Sequence, residues 1–283
     1  MLGNSLGFGL LCHPAASGSA RCGRHVAMKL SLLIAFVAVF LCTSPLAAVA
    51  DTPGSVIPAC GAGLNLSSEQ ISQRLAAKND ERAQHLQSFQ SERYYTLEYQ
   101  GFPSARSAEM TVSVAYHAPG TKQFTIISES GSKLILTRVL HRLLESEEES
   151  SRNESNRKAV ALTADNYRFA LRGCDTAEGR DLYVMNVQPL RDNKFLYRGT
   201  VWIDALDFAV VRIDAEPAKN PSFWIKRSQI RHQYRKVGEF YLPSLNETVS
   251  EVRLGGRSVL NIRYENYKVD PSDESRDHKS AKD

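Results

Sequence analysis

The chain has 283 residues, 42% of them hydrophobic and 23% charged, too apolar for a disordered protein and long enough for one large β domain or two small ones. Five cysteines are too few for a disulfide scaffold, and they show no paired CxxC spacing for zinc. The formal charge of +4 includes Arg21, Arg24 and Lys29; without residues 1–50 there remain 32 basic against 31 acidic residues, which argues against a broad electrostatic surface for nucleic acid.

Met28-Lys29 precedes an apolar run, residues 30–41, and Ala48-Val49-Ala50 supplies a small-residue cleavage site. This is the pattern of a secretory signal, with Met28 as the functional start, cleavage after Ala50 and export to the periplasm. An uncleaved anchor is the alternative, but the run is broken by Thr43, Ser44 and Pro45 soon after it begins. Cys12, Cys22 and Cys42 leave with such a leader. Cys60 and Cys174 remain, an even number in an oxidising compartment. A bridge between them is expected, two free thiols being the other reading. The remaining histidines (His85, His117, His141, His232, His278) form no HxxxH or HExxH pair, so neither a metal site nor a cofactor is expected.

Residues 51–66 read as a flexible arm. Ser67 and Gln70 make a capping box, opening a helix whose thin apolar stripe (Ile71, Leu75, Leu86, Phe89) carries it to about Gln90. Alternation then takes over: Arg93 to Tyr99, Met110 to Tyr116 and Phe124 to Ser128. Arg138 to Glu149 breaks it with Val139, Leu140, Leu143 and Leu144 on one helical face. The crowd of glutamates that follows is unfavourable at a helix C-terminus and predicts fraying into a polar loop, Ser150 to Lys158. That segment reads equally as a mobile flap or an ordinary surface excursion. Strands resume at Tyr167 to Leu171 and Leu182 to Val187. The clearest unit is Phe195 to Asp204, a tight turn at Ala205-Leu206-Asp207, and Phe208 to Asp214. Ser222 to Tyr234, Phe240 to Pro243, Glu247 to Leu254 and Ser258 to Val269 complete the count, and residues 270–283 read as a disordered tail.

About ten strands joined by short turns predict antiparallel neighbours and exclude a doubly wound parallel sheet. No nucleophile elbow, P-loop, dinucleotide fingerprint or zincin motif occurs, and Asp204 and Asp207 are common turn residues, so catalysis is not expected. The basic Lys226-Arg227, Arg231 and Arg235-Lys236 group beside Phe223, Trp224 and Tyr234 reads as a strand with its charges in water, or as one that meets anionic headgroups. Consecutive large apolar residues, as in Val201-Trp202-Ile203 and Phe208-Ala209-Val210-Val211, point to opposite strand faces. They leave open a fully packed core or an apolar cavity.

The order of these features resembles the periplasmic outer-membrane lipoprotein-sorting (LolA-like) family: signal peptide, amphipathic helix, a Pro119-to-Phe124 corner, a Ser130-Gly131-x-x-Leu134 hairpin, a short apolar helix, and a Gly199-x-x-Trp202-Ile203-Asp204 hairpin. The resemblance covers residues 67–269, as a single domain. It implies a mainly β (α+β) fold, a strongly curved antiparallel sheet forming an unclosed barrel. An N-terminal helix (Ser67 to Gln90) and a short lid helix (Arg138 to Glu149) would cover its concave side. It further implies a monomeric lipid or lipoprotein carrier that shields acyl chains in a hydrophobic cavity, with an inner- or outer-membrane protein as partner. An envelope sensor or interaction module on the same fold is the alternative. The candidate lining is Tyr116, Phe124, Val139, Leu140, Leu143, Trp202, Phe208, Val210 and Phe223, with the inward strand parity left open. Family carriers hold the lid with an arginine near the equivalent of the Pro119 corner; here His117 and Ala118 stand there.

Overall fold

The computed structural model describes residues 59–271, except 62 and 254. The expected leader, its cleavage site, most of the arm and the tail lie outside the described residues. Helix α1 (Ser68–His85) comes first. Three strands follow: β1 (Leu86–Gly101), β2 (Arg106–His117) and β3 (Thr121–Gly131). A helical segment then runs through α2 (Lys133–Ile135), a π-helical turn (Leu136–Leu140), α3 (His141–Arg152) and α4 (Glu154–Val160). Seven more strands complete the chain: β4 (Tyr167–Ala177), β5 (Arg180–Pro189), β6 (Tyr197–Asp204), β7 (Val210–Pro217), β8 (Ile225–Val237), β9 (Phe240–Val252) and β10 (Gly256–Pro271).

All ten strands form one antiparallel sheet in the order β3-β2-β1-β10-β9-β8-β7-β6-β5-β4. It is two meanders joined where β1 pairs with β10. β3 and β4 are its two edges, so the sheet is unclosed, as expected. These two edge strands are consecutive in sequence, and the segment joining them carries α2, α3 and α4.

Register settles which parity faces the helices, because paired residues share a face. One row crosses eight strands: Met185, Val201, Ile213, His232, Asn246, Ile262, Tyr95 and Met110. Every member is buried. At one end of this row Ile71 and Leu75 of α1 pack with Met185, Val187, Val201, Ile203 and Ile213. At the other end Leu136, Leu140, Leu143 and Leu144 pack with Tyr95, Met110, Val112, Leu260 and Ile262. Both helical layers therefore lie on one face. Among the described residues no helix is long and apolar enough to cross a membrane.

Two helix boundaries differ from expectation. The first helix stops at His85, not Gln90, because Leu86 and Phe89 belong to β1. Irregularities in the β1–β10 pairing at Leu86/Ser88 and Gln90/Glu92 break the strand's alternation there. Leu86 and Phe89 consequently fall at a helix-like spacing. The second helix is longer than Arg138 to Glu149, and the expected polar loop from Ser150 to Lys158 is helical except at Asn153. Asn153 caps α4 by accepting from the Asn156 amide. Ser151 is buried and its hydroxyl donates to the Glu148 carbonyl. The expected capping box of α1 is present, with Gln70 N–H donating to Ser67 Oγ at 3.2 Å and Ser67 N–H to Gln70 Oε1 at 2.9 Å.

Gly131 turns β3 into the helical segment. Its φ is 93°, and a Cβ there would lie 2.5 Å from the Ser107 carbonyl oxygen, so only glycine fits. Cys60 is bonded to Cys174 of β4, with Cα atoms 4.8 Å apart across 114 positions of sequence, and Leu64 and Leu66 pack on the α1 cluster. The bridge starts ahead of α1 and closes a long loop that contains α1, β1 to β3 and the helical segment. Replacing both cysteines by serine should therefore lower stability by about 2–4 kcal/mol. Denaturant unfolding of the variant against the oxidised protein reads this, and an unchanged midpoint would contradict it.

Candidate functional site

The helical segment from Lys133 to Arg152 presents Leu136, Leu140, Leu143, Leu144, Glu147 and Ser151 to the sheet. These positions recur at spacings of three and four, one face of a helix, and all six are buried. The stripe is apolar except towards its C-terminal end, where a carboxylate takes the place of a fifth leucine.

That carboxylate is met by two cations from the sheet. Arg93 of β1 donates from Nη1 to Glu147 Oε2 at 2.8 Å and from Nη2 to Oε1 at 3.1 Å. Lys122 of β3 donates from Nζ to Oε1 at 2.7 Å. The three side chains are 4%, 9% and 2% exposed for Arg93, Lys122 and Glu147, so the cluster is desolvated. Aromatic rings wall it: Arg93 lies 4.9 Å from the Tyr264 ring centroid and 5.3 Å from that of Phe124. Arg93 Nη1 also approaches Tyr95 Oη at 3.3 Å.

Burial by itself would raise the Glu147 carboxyl. The charges and hydrogen bonds of Arg93 and Lys122 outweigh it and bring the group to about 2. Burial pushes the Lys122 ammonium down, opposed by Glu147 and reinforced by Arg93. Glu147 thus stays ionised at any ordinary pH, and α3 is tied to strands on both sides of β2.

Between the two apolar clusters the same sheet face turns polar. Ser228 and His232 of β8 and Asn246, Thr248 and Ser250 of β9 are all buried. Ser228 and Ser250 share a hydroxyl contact of 2.7 Å, and Asn246 Nδ2 donates to Tyr264 Oη at 2.9 Å. Neither ring nitrogen of His232 has a hydrogen-bond partner, and burial lowers its pKa to about 4.

The opposite sheet face carries an open groove of about 530 Å³. Of its charged lining, Asp214 pairs with Arg231, and Glu216 with Arg227 beside the groove. Asp204 and Asp207 are engaged in their turn. Asp204 Oδ1 accepts from the Leu206 and Asp207 amides, and Asp207 Oδ2 accepts from Arg180, Lys236 and Tyr241. Among the described residues no group of three or more His, Cys, Asp or Glu is arranged to hold a metal.

The nine residues expected to line a cavity are dispersed. Phe124, Val139, Leu140 and Leu143 come together in the cluster under the α2–α3 segment. Tyr116 lies beside it, stacked on Phe89 at 5.0 Å. Phe208 and Val210 belong to the α1 cluster. Trp202 and Phe223 are not brought to the helix-bearing face. Trp202 alternates with Val201 and Ile203, so its indole turns the other way and donates to Asp175 Oδ2 at 3.1 Å. Phe223 is 73% exposed in the β7–β8 connection, edge-on to Trp224.

Sequence reasoning missed Arg93, Lys122 and Glu147. Two signals were present. Arg93 shares the parity of Tyr95 and Leu97, and Glu147 falls four residues after Leu143 on the apolar stripe. In place of an arginine at the Pro119 corner, Arg93 of β1 engages the helix.

No family model matches the sequence, and no curated protein matches it. Solved structures do. A DUF1329 family protein from Desulfovibrio piger is 16% identical, covering 72% of this chain and 94% of its own, with a TM-score of 0.38. An outer membrane lipoprotein-sorting protein domain from Vibrio parahaemolyticus is 10% identical over 70% and 92%, with a TM-score of 0.39. The Pseudomonas aeruginosa MucA/MucB complex matches at 11% identity over 72% and 94%, with a TM-score of 0.25. At these identities and scores they say nothing of activity.

Two outcomes follow from the buried polar groups. Glu147→Ala strands two buried cations and should cost about 3–5 kcal/mol. Hydrogen exchange should rise first in residues 133–160, ahead of β4–β7; uniform loss of protection would show that the cluster does not hold this segment in particular. For His232 the folded pKa lies below the unfolded value of 6.5, so its contribution is complete above pH 6.5 and is lost as pH falls towards about 4. The loss is at most about 3 kcal/mol. His232→Leu should flatten the stability profile across that window, measured by urea unfolding at stepped pH. The Glu147 contribution disappears only below the usual carboxylate range, so the two can be separated.

Proposed function

We propose that this protein is a periplasmic lipid- or lipoprotein-binding carrier, which shields acyl chains from water on their way towards the outer membrane. The observation that carries this reading is the segment from Lys133 to Val160. It joins the two open edges of the sheet, lays four leucines over the apolar end of the helix-bearing face, and is tied down by the Arg93–Lys122–Glu147 cluster and by the contact of His141 with Glu129 of β3. A cover built this way can lift and expose the apolar residues of β1, β2 and β10 without dismantling the sheet. An acyl chain contributes about 0.8 kcal/mol per buried CH₂, so a lipid crosses water only inside such a container. The structure is then the closed form, in which Leu140 and Leu143 stand where the guest's methylenes go.

In this reading no bond is made or broken. The carboxylates best placed for acid–base work, Asp204 and Asp207, are occupied in fixing the β6–β7 turn, which in turn receives Arg82 of α1 on the Asp207 and Phe208 carbonyls. The α1 half is the fixed part of the container and the α2–α3 half the movable one.

Photolabelling tests the reading. A diazirine-bearing fatty acid, irradiated with the full chain, should crosslink to residues of the Leu136–Leu144 stretch and to the facing positions Tyr95, Leu97, Met110 and Val112. Labels confined to exposed aromatics such as Phe102 and Phe223, or no saturable labelling, would overturn it.

A further inference from the structure

The cluster that holds the lid has a surplus of cation. Among the described residues, Arg93 and Lys122 form ion pairs with a single carboxylate, Glu147. It also has unused donors. Arg93 Nε and Ser91 Oγ are both buried without a hydrogen-bond partner. Ser91 is 3% exposed, and it stands one alternation before Arg93 on the same face of β1, opposite Val114 as Arg93 is opposite Val112. Buried polar groups are nearly always satisfied. Two orphans beside an unbalanced pair of cations mark a place built for more negative charge than Glu147 supplies.

The arrangement already shows what it accepts. Glu147 is held as a carboxylate ligand would be, one oxygen on each guanidinium nitrogen and one shared with the lysine. When the lid lifts, Glu147 leaves with it. Arg93 and Lys122 stay behind on the sheet, with their counter-ion gone and low-dielectric walls of Tyr95, Phe124 and Tyr264 around them. Buried cations left without a partner oppose that opening strongly. An incoming anion that takes the vacated position removes the opposition, and the two events are coupled: the ligand that binds the open state better shifts the molecule towards it.

We propose that Arg93, Lys122 and Ser91 form a subsite for the anionic head of an amphiphile, a carboxylate or phosphate ester, and that Glu147 occupies this subsite in the closed protein as the lid's own competitor. The proposal rests on the lipid-binding reading and adds the class of head group and the trigger for opening. The acyl chain replaces the leucines, and the head replaces the glutamate. Ser91 Oγ and Arg93 Nε supply the extra donors that a phosphate ester, with more oxygens than a carboxylate, can use.

The test compares amphiphiles of one chain length on the full protein: dodecanoate, dodecyl phosphate and dodecanol, with acetate and inorganic phosphate as heads without tails. Competition against a fluorescent acyl probe gives the affinities. The charged pair should bind at least about tenfold more tightly than dodecanol. Lys122→Met should remove most of that preference without weakening dodecanol. Glu147→Gln keeps the shape and weakens the closed state, so it should tighten dodecanoate, dodecyl phosphate and dodecanol alike, several-fold, and leave the preference for the charged pair in place. Equal affinity for charged and neutral amphiphiles, or a Glu147→Gln variant with all three affinities unchanged, overturns the head-group subsite and its competitor and leaves the container standing. If none of the three binds, the carrier reading falls with it. Displacement by acetate or inorganic phosphate at the concentrations that suffice for the amphiphiles overturns the assignment to a lipid head.

Discussion

A carboxylate taken out of water must be met by charge, and the placement of Glu147 follows from that requirement. Desolvating an isolated carboxylate costs several kcal/mol even after relaxation, so α3 can lie on the sheet only in the rotation that delivers Glu147 to Arg93 and Lys122. The leucines on either side of it do not impose this. Leu140, Leu143 and Leu144 would fill the same face with a small change of helix phase, because apolar contacts are non-directional. Apolar burial supplies the adhesion of the lid and the ion cluster supplies its register. Because β1 and β3 flank β2, the same three side chains also hold the sheet's outermost strand in line with its neighbours.

The two halves of the helix-bearing face are built on different principles. The α1 half is fastened several times over. Its capping box, the Cys60–Cys174 bond and the grip of Arg82 on the β6–β7 turn all act on one helix and its surroundings. The other half depends on the apolar stripe from Ile135 to Leu144, the Arg93–Lys122–Glu147 cluster and the contact of His141 with Glu129. Between them β8 and β9 place Ser228, His232, Asn246, Thr248 and Ser250 on the buried face. This polar divide separates the two apolar clusters. The apolar residues of β1, β2 and β10 lie on one side of it and those of β5 to β7 on the other.

The architecture was legible in the sequence because period-two alternation and turn residues are local signals. Glu178-Gly179, with φ of 53° and 73°, is the two-residue turn that an antiparallel hairpin favours, and the Gly199-to-Asp214 hairpin lies where alternation placed it. The failures have local causes too. Pairing irregularities at the start of β1 gave Leu86 and Phe89 the spacing of a helix, and the glutamates after Leu144 read as a frayed end because the partners of Glu147 are remote in sequence. Arg93 and Lys122 lie 54 and 25 positions from Glu147. No reading of neighbours pairs them, although their parity and spacing on each element point inward. Trp202 shows the same limit from the other side. Val201, Trp202 and Ile203 are all large and apolar, and only the register across β5 to β7 decides which of them faces the helices.

In the proposed carrier, the charge cluster does something that the apolar contacts cannot supply. Exchanging lid leucines for the methylenes of a guest trades one hydrocarbon surface for another, so the face itself gains little from the exchange. The net gain comes from taking the guest's chain out of water and is set against exposing the leucines. A container closed by leucines alone would therefore respond to chain length and to little else. Closing it with an ionised glutamate on two buried cations adds a second condition, because the closed state is protected by an interaction that a neutral hydrocarbon cannot replace. Discrimination among lipids then resides in the polar end of the molecule, where a missing partner is penalised far more heavily than a missing methylene. Under that proposal the fold provides the greasy surface, and three side chains on β1, β3 and α3 decide what is allowed to displace the cover.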